Sequence, residues 1–337
     1  MKYIGIDLHS DNSFVAVLDE QDELVYRKRL PNRLEEILQA IERWRGEVSG
    51  IAVESTFNWY WLVDGLMEAG YPVHLVNTAA VKQYEGLKYG DDERDAQHLA
   101  HLMRLGLLPE GYIYPKARRV WRDLLRKRMQ LVQDRSRQII HLQTMVQRYL
   151  GGRISGHQVK CLTPETLAQL GLPEQILPAA QAHLAVLGVL TEQIERLERD
   201  VKAAIGSDVE YRRLQTTPGI GTALALTIWL EVGDIGRFAS PGEFASYCRC
   251  VNSVRLSNGK KKGEGNGKNG NRYLAWAFVE AANFAVRYSQ EAKVFYQRKK
   301  SKTNGVVAIK AVAHKLARAC YYLMRDDVTF DVKRCFA

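Results

Sequence analysis

Cysteine is scarce in this chain and poorly spaced for pairing. Cys161, Cys248, Cys250, Cys320 and Cys335 are odd in number and contain no CxxC pair. That pattern excludes a disulfide-stapled scaffold. Cys248-Arg249-Cys250 is only a weak zinc signal, since no second ligand pair follows at finger-like spacing. Buried free thiols in a reducing cytosol are expected instead. No apolar run approaches membrane-spanning length, and the opening residues have neither the charged nor the apolar segment of a signal peptide. A cytoplasmic protein without membrane association is therefore expected. Acidic residues are also in short supply: 38 Asp and Glu stand against 48 Lys and Arg, a net charge of +10. Such an excess favours a polyanionic partner, and phosphate contacts are its common use, although a merely soluble basic protein shares the composition.

The 337 residues are long for a single core, so two or three domains are expected. Residues 1–115 alternate strand and helix patterns. Tyr3 to Ile6, Phe14 to Leu18 and Leu24 to Lys28 read as strands joined by polar turns. Leu34, Ile37, Leu38 and Ile41 have helical spacing. Ile51 to Val53 and Val73 to Val76 read as further strands on either side of a helix from Trp59 to Ala69. This predicts a mixed-sheet α/β domain of the ribonuclease-H type. Residues 116–210 read as a long helical hairpin of coiled-coil character. Ala117 to Leu150 is nearly free of Gly and Pro, and Leu184, Leu187, Leu190, Ile194, Leu197, Val201 and Ile205 form a heptad-like seam. That seam has two possible partners, its own hairpin or another subunit. Residues 211–337 read as a helical domain, with helices predicted at Val209 to Leu214, Ala223 to Leu230, Gly242 to Tyr247, Tyr273 to Tyr288 and Val306 to Met324.

Four acids sit where the apolar pattern stops. Asp7 ends Tyr3-Ile4-Gly5-Ile6, Glu54 ends Gly50-Ile51-Ala52-Val53, and Asp92 and Asp95 lie three apart before the stretch Ala96 to Leu108. A carboxylate at the tip of a buried strand is costly unless something pairs with it. Converging carboxylates suit a hard divalent cation, and four of them suit two magnesium ions about 4 Å apart on a phosphodiester. Taken singly, the same acids also suit N-caps and turn starts.

Ser257 is the second candidate, in a Gly- and Lys-rich segment with Arg255, Lys260, Lys261 and Lys262. Those cations could stabilise a phosphorane, but the base would have to come from elsewhere. An ordinary Ser-Asn-Gly turn is the alternative. Thr217-Pro218-Gly219-Ile220-Gly221, between two helical patterns, has the helix-hairpin-helix arrangement, in which Gly219 and Gly221 would let backbone N–H groups approach phosphate. Tight interhelical turns also need glycine for sterics alone. The candidate phosphate-binding side chains are Arg122 and Arg126 near the start of the long helix, together with Arg255, Lys260, Lys261, Lys262, Lys268 and Arg272. Acids are sparse in sequence around both clusters. The eight histidines form no ligand pattern beyond His98 and His101.

Tyr3-Ile4-Gly5-Ile6-Asp7, Ala52-Val53-Glu54-Ser55-Thr56 and Asp92-Glu93-Arg94-Asp95-Ala96 resemble the RuvC-like half of the IS110/IS1111 family of insertion-sequence transposases. Thr217-Pro218-Gly219-Ile220-Gly221, Phe244-Ala245-Ser246-Tyr247, and Ser257-Asn258-Gly259 followed by Gly267-Lys268-Asn269-Gly270 resemble its transposase half. The resemblance covers essentially the whole chain, in order. It implies a DNA recombinase with Asp7, Glu54, Asp92 and Asp95 as ligands for Mg2+ or Mn2+ and Ser257 as nucleophile. It also implies donor and target DNA, a structured bridge RNA, and a homodimer or tetramer. The chain departs from the family around the serine, reading Arg249-Cys250-Val251-Asn252 before it and Asn258 after it, which leaves Ser253 as a fallback. Three rivals are a RuvC-like nuclease that uses water, a non-catalytic nucleic-acid-binding protein and a sugar-kinase-like ATPase.

Overall fold

In the first hundred residues, period-two alternation sorts side chains onto two unlike faces of one sheet. A computed structural model describes residues 1–81, 92–251, 254–264 and 270–336, apart from the side chains of 79, 92, 93, 254–256, 261, 263 and 264. The chain divides into two compact units, Met1–Lys116 and Ala117–Ala337. The first contains β1 (Lys2–Leu8), β2 (Asn12–Leu18), β3 (Leu24–Pro31), α1 (Leu34–Ile41), β4 (Val48–Glu54), α2 (Tyr60–Glu68), β5 (Val73–Val76), α3 (Thr78–Val81) and α4 (Asp92–Arg104). Strand order is β3-β2-β1-β4-β5. The first three strands are antiparallel, and β4 and β5 run parallel to β1.

One face carries large side chains. Ile4, Ile6, Val15, Val17, Ile51 and Val53 pack beneath Ile37 and Ile41 of α1 and Leu62 and Leu66 of α2. The other face is nearly bare, with Gly5, Ala16 and Ala52 at its centre, and α4 lies directly on it. Ala96 packs with Phe14 and Ala16, and Leu99 with Ala52 and Val76. The approach is backbone to backbone: a Cβ on residue 5 would stand 1.9 Å from the Ala96 carbonyl oxygen and 2.8 Å from the Ala100 nitrogen. At the C-terminal end of α4, His101 Nδ1 and Arg104 Nε reach the Asp22 carboxylate at 2.6 and 2.8 Å. Burial pushes the Asp22 carboxyl up, but His101 and Arg104 outweigh it and hold it below its ordinary value. One end of α4 is thus tethered to the β2–β3 turn.

In the second unit, α5 (Lys116–Leu150) is followed by the short α6 (Gly156–Lys160) and α7 (Pro164–Ala168), and then by α8 (Leu177–Ile205). α5 and α8 run antiparallel. Arg128 pairs with Glu198, His183 Nδ1 meets Gln138 Oε1 at 2.7 Å, and His183 stacks on His141. On α8 the buried positions Ala180, Leu187, Ile194 and Val201 recur every seventh residue, as a heptad seam requires. The seam faces inward: Leu187 joins a cluster with Ile139 and Leu142. Val201 and Ile205 enter the larger core with Leu125, so the hairpin merges with the C-terminal helices in one unit.

Those helices are α9 (Val209–Leu214), α10 (Thr222–Val232), α11 (Pro241–Tyr247), α12 (Arg272–Tyr288), α13 (Gln290–Lys300), α14 (Gly305–Arg325) and α15 (Val332–Phe336), with the strand pair β6 (Val254–Ser257) and β7 (Lys260–Glu264). Leu316, Cys320 and Tyr321 of α14 pack with Phe244 and Phe278 at the centre of the core. The sequence reading missed α13. Ser289 ends α12 in an extended conformation, and its hydroxyl accepts from Ala292 N–H to start the next helix. Among the described residues no helix is long and apolar enough to cross a membrane.

Candidate active site and nucleic-acid interface

The parity of the sheet places the first two carboxylates. Gly5 faces α4, so Asp7, two residues on, faces the same way. Gly5 pairs with Ala52 across the parallel β1–β4 ladder, so Glu54, two residues beyond Ala52, lies beside Asp7. Asp7 was expected to end its strand; it lies within β1 and is 4% exposed. Its Oδ2 stands 3.0 Å from His9 Nε2. The His9 carbonyl oxygen accepts from Asn32 Nδ2 at 2.9 Å and from Asn58 Nδ2 at 3.0 Å, which fixes the turn after β1.

Glu54 is strongly perturbed. Its carboxyl is pushed up to about 8 by burial, then by a hydrogen bond and charge repulsion from Asp7, and finally by the charge of Asp95. Every one of these influences acts in the same direction, so the three acids share one neighbourhood with an excess of negative charge. Asp95 reaches that neighbourhood because the close approach at Gly5 presses Ala96, its neighbour on α4, onto the sheet. Asp92 begins the same helix, one turn earlier; its side chain lies outside the described residues. Among the described residues no three His, Cys, Asp or Glu side chains are already arranged to hold a metal ion. The donor chemistry nonetheless fits one: oxygen ligands with surplus negative charge, one of them buried, suit a hard divalent cation.

Ser257 lies on a β-hairpin and not in an irregular loop. It ends β6 and pairs with Lys260, the first residue of β7. Asn258 and Gly259 form the tip at φ +50° and +70°. Asn-Gly between two strand segments is the sequence signal for a type I′ hairpin, and it was available to read. Ser257, Lys260 and Lys262 are exposed. The side chains of Arg255 and Lys261 lie outside the described residues, as do the whole of Lys268 and the fallback Ser253.

The basic start of α5 has a different task from the one its sequence suggested. Arg126 clamps Glu231 through Nε at 2.6 Å and Nη2 at 2.7 Å, and Glu231 is buried. Asn271 Nδ2 donates to the same carboxylate at 2.7 Å, while its Oδ1 accepts from Tyr273 N and Leu274 N at the start of α12. Arg126 also lies over the Tyr273 ring. Arg122 is largely buried, with a side chain 11% exposed. Arg118 donates to the Gly233 carbonyl at the C-terminal end of α10, where a cation is favoured. Arg118 and Arg126 tie α5 to α10 and α12, so Arg126 is engaged within the protein, and Arg122 is turned largely away from solvent. Basic residues that face solvent include Lys116 and Lys127 on α5, Lys260, Lys262 and Arg272, and on and after α13 Arg298, Lys299, Lys300 and Lys302.

The Gly-Ile-Gly turn meets the steric reading at the first of its glycines. Gly219 has φ +85°, and a Cβ there would stand 2.2 Å from the Ala281 carbonyl oxygen, so this glycine is needed for packing against α12. Gly221 has open space around it and forms the N-cap of α10 without a side-chain cap. Cys248, Cys250 and Cys320 are buried free thiols whose ionisation burial suppresses, with Cys250 raised to about 12, whereas Cys161 is exposed. His101 is occupied by Asp22, far along α4 from Asp95.

Comparison with known proteins identifies the lineage. A family model of the IS110 DEDD transposases, described as "Transposase", matches residues 4–150. A second, described as "Transposase IS116/IS110/IS902 family", matches 211–297, and the two together span more than half of the chain. The chain belongs to the IS110 family of insertion-sequence transposases. Among its relatives is the "Transposase for insertion sequence element IS1111A" of Coxiella burnetii, 24% identical over 86% of this chain and 79% of that protein. The "Probable family 20 transposase" of Pseudomonas aeruginosa is 23% identical over 97% of this chain and 98% of its own. The "Transposase for insertion sequence element IS1328" of Yersinia enterocolitica is 31% identical over 42% of this chain and 44% of its own.

Proposed function

We propose that this transposase cuts and rejoins DNA by a metal-assisted attack of Ser257, in a ribonuclease-H-like, RuvC-type first unit working with the helical second unit. The observation that carries the reading is the shared neighbourhood of Asp7, Glu54 and Asp95, in which Glu54 is driven up to about 8. Asp7, Glu54 and Asp95, together with Asp92 one turn earlier on α4, would hold Mg2+ or Mn2+. When bound, the metal supplies charge neutralisation at the scissile phosphate. The β1–β4 ladder and the flat seat of α4 hold the carboxylates in place, so little reorganisation is needed.

Ser257 Oγ forms the bond to phosphorus as the strand's own P–O bond breaks, leaving a phosphoserine link that a second strand end displaces. Its hairpin presents the hydroxyl to solvent beside Lys260 and Lys262, which favour the negative charge of the transition state. The serine proton passes to a base from outside the hairpin. The family resemblance further suggests a bridge RNA that base-pairs with donor and target DNA, with protein contacts holding backbone and shape. It also suggests an assembly of at least two copies, a dimer or tetramer.

The test is a strand-cleavage reaction on DNA carrying the element's end, with co-purified RNA present and denaturing gels used to reveal protein–DNA adducts. Ser257→Ala should abolish the adduct and rejoining, and Asp7→Asn should abolish cleavage. Unchanged cleavage by Ser257→Ala would replace this mechanism with hydrolysis by water. Unchanged activity of Asp7→Asn would remove the carboxylate site from the reaction.

A further inference from the structure

α12 turns one side to the core and leaves two aromatic rings on the other. Ala277, Phe278, Ala281 and Ala285 are buried, whereas Phe284 is 41% exposed and Tyr288 is 72% exposed. The two rings lie one helical turn apart, with planes within 8° of parallel and centroids 6.3 Å apart. Neither the core nor an ion pair accounts for them, and apolar faces left in water do not stabilise a fold. The seating of Gly219 on Ala281 and Ala285 brings the turn before α10 alongside these rings. Turn and rings border one mainly apolar recess of about 640 Å3, a volume within the range of small-ligand sites. The exposed Gln215 and Thr222 bring polar groups to the recess. The Arg287 guanidinium stands 5.7 Å from the Tyr288 ring centroid.

We propose that Phe284 and Tyr288 form a stacking platform for an unpaired base of a DNA strand, with the base seated against the rings and the recess. Parallel, solvent-facing rings present the flat π surface that any base can stack on, and the apolar walls suit a ring without a charge. Arg287 supplies the positive charge that a flanking phosphate requires, and the chain's net charge of +10 favours the same polyanion. Strand exchange passes through unpaired DNA ends, so a transposase has use for such a platform. The inference rests on the family's action on DNA and is independent of the carboxylates and Ser257.

The experiment uses the full chain in EDTA, which keeps divalent metal out of the measurement. A single-stranded oligodeoxynucleotide containing 2-aminopurine is titrated with protein and its fluorescence followed. Wild type should quench the probe. Tyr288→Ala should lose the quenching and bind about tenfold more weakly, and Tyr288→Phe, which keeps the ring, should behave as wild type. Tyr288 is exposed, so both variants should remain folded, which circular dichroism checks. Equal quenching and affinity for wild type and Tyr288→Ala would overturn the proposal. So would equal quenching of a fully paired duplex, or quenching confined to an RNA of the same sequence. If wild type binds no oligonucleotide at all, the underlying DNA reading fails with it, a result distinct from binding that ignores the rings.

Discussion

Gly5→Ala tests whether the flat seat of α4 builds the carboxylate site. The added Cβ would stand 1.9 Å from the Ala96 carbonyl oxygen, whereas a comfortable carbon–oxygen contact is about 3.4 Å. The obstruction is backbone and not the end of a flexible side chain, so α4 must lift by about 1.5 Å, the difference between these distances. Overpacking of this kind costs about 1–3 kcal/mol. With a urea slope of about 2 kcal/mol per molar, the unfolding midpoint should fall by roughly 0.5–1.5 M. Asp95 moves with Ala96, and displacement by 1 Å or more costs about 100-fold in a positioned site. Strand cleavage should therefore fall by about that factor even where the protein is fully folded, and Mg2+ affinity measured by calorimetry should fall with it. Gly46→Ala serves as the control, since nothing lies within 4 Å of a Cβ there. If Gly5→Ala matched Gly46→Ala in urea midpoint, Mg2+ affinity and cleavage, the role assigned to this contact would be refuted.

Three further outcomes follow from the buried charges. Because burial and Asp7 hold Glu54 up to about 8, the metal-free protein keeps a proton there at pH 7, which Mg2+ bound at the proposed site would displace. Calorimetry in buffers of different ionisation enthalpy should show protons released at pH 6–7 and essentially none at pH 9, with affinity rising as pH approaches 8; release that does not vary with pH would contradict this. The stability linkage has the matching sign: a raised acid stabilises the metal-free fold below its unfolded value of 4.5 and loses that contribution as pH rises through about 8, so Glu54→Gln should flatten the metal-free stability profile over that window. Arg126→Met leaves Glu231 buried with Asn271 alone and should cost about 3–5 kcal/mol in urea unfolding, with partial rescue by Glu231→Gln. The folded variant should keep the wild-type salt dependence of DNA binding, and a shallower salt slope would return Arg126 to the phosphate surface.

The sequence by itself determined the local elements of the first unit and the position of its acids. Alternation in Tyr3 to Ile6 and Phe14 to Leu18 and the helical spacing of Leu34 to Ile41 reflect periods of two and of 3.6, which each segment carries within itself. The seventh-residue recurrence from Leu187 to Val201 also announced a hairpin seam, and Asn258-Gly259 was legible as a turn, though not as the tip of a strand pair. Only the tertiary structure decided which faces those elements bury and what each charge meets. Along the chain Arg126 has only Asp123 close by, and its buried partner could not be read there; Glu231 arrives from 105 residues away. Gly5 looked like an ordinary strand residue until α4 was found lying on it. Ser289 divides α12 from α13 through a cap that competes with helix continuation. Charge pairing and close packing depend on distances through space, and those are fixed only when segments remote in sequence come to rest against one another.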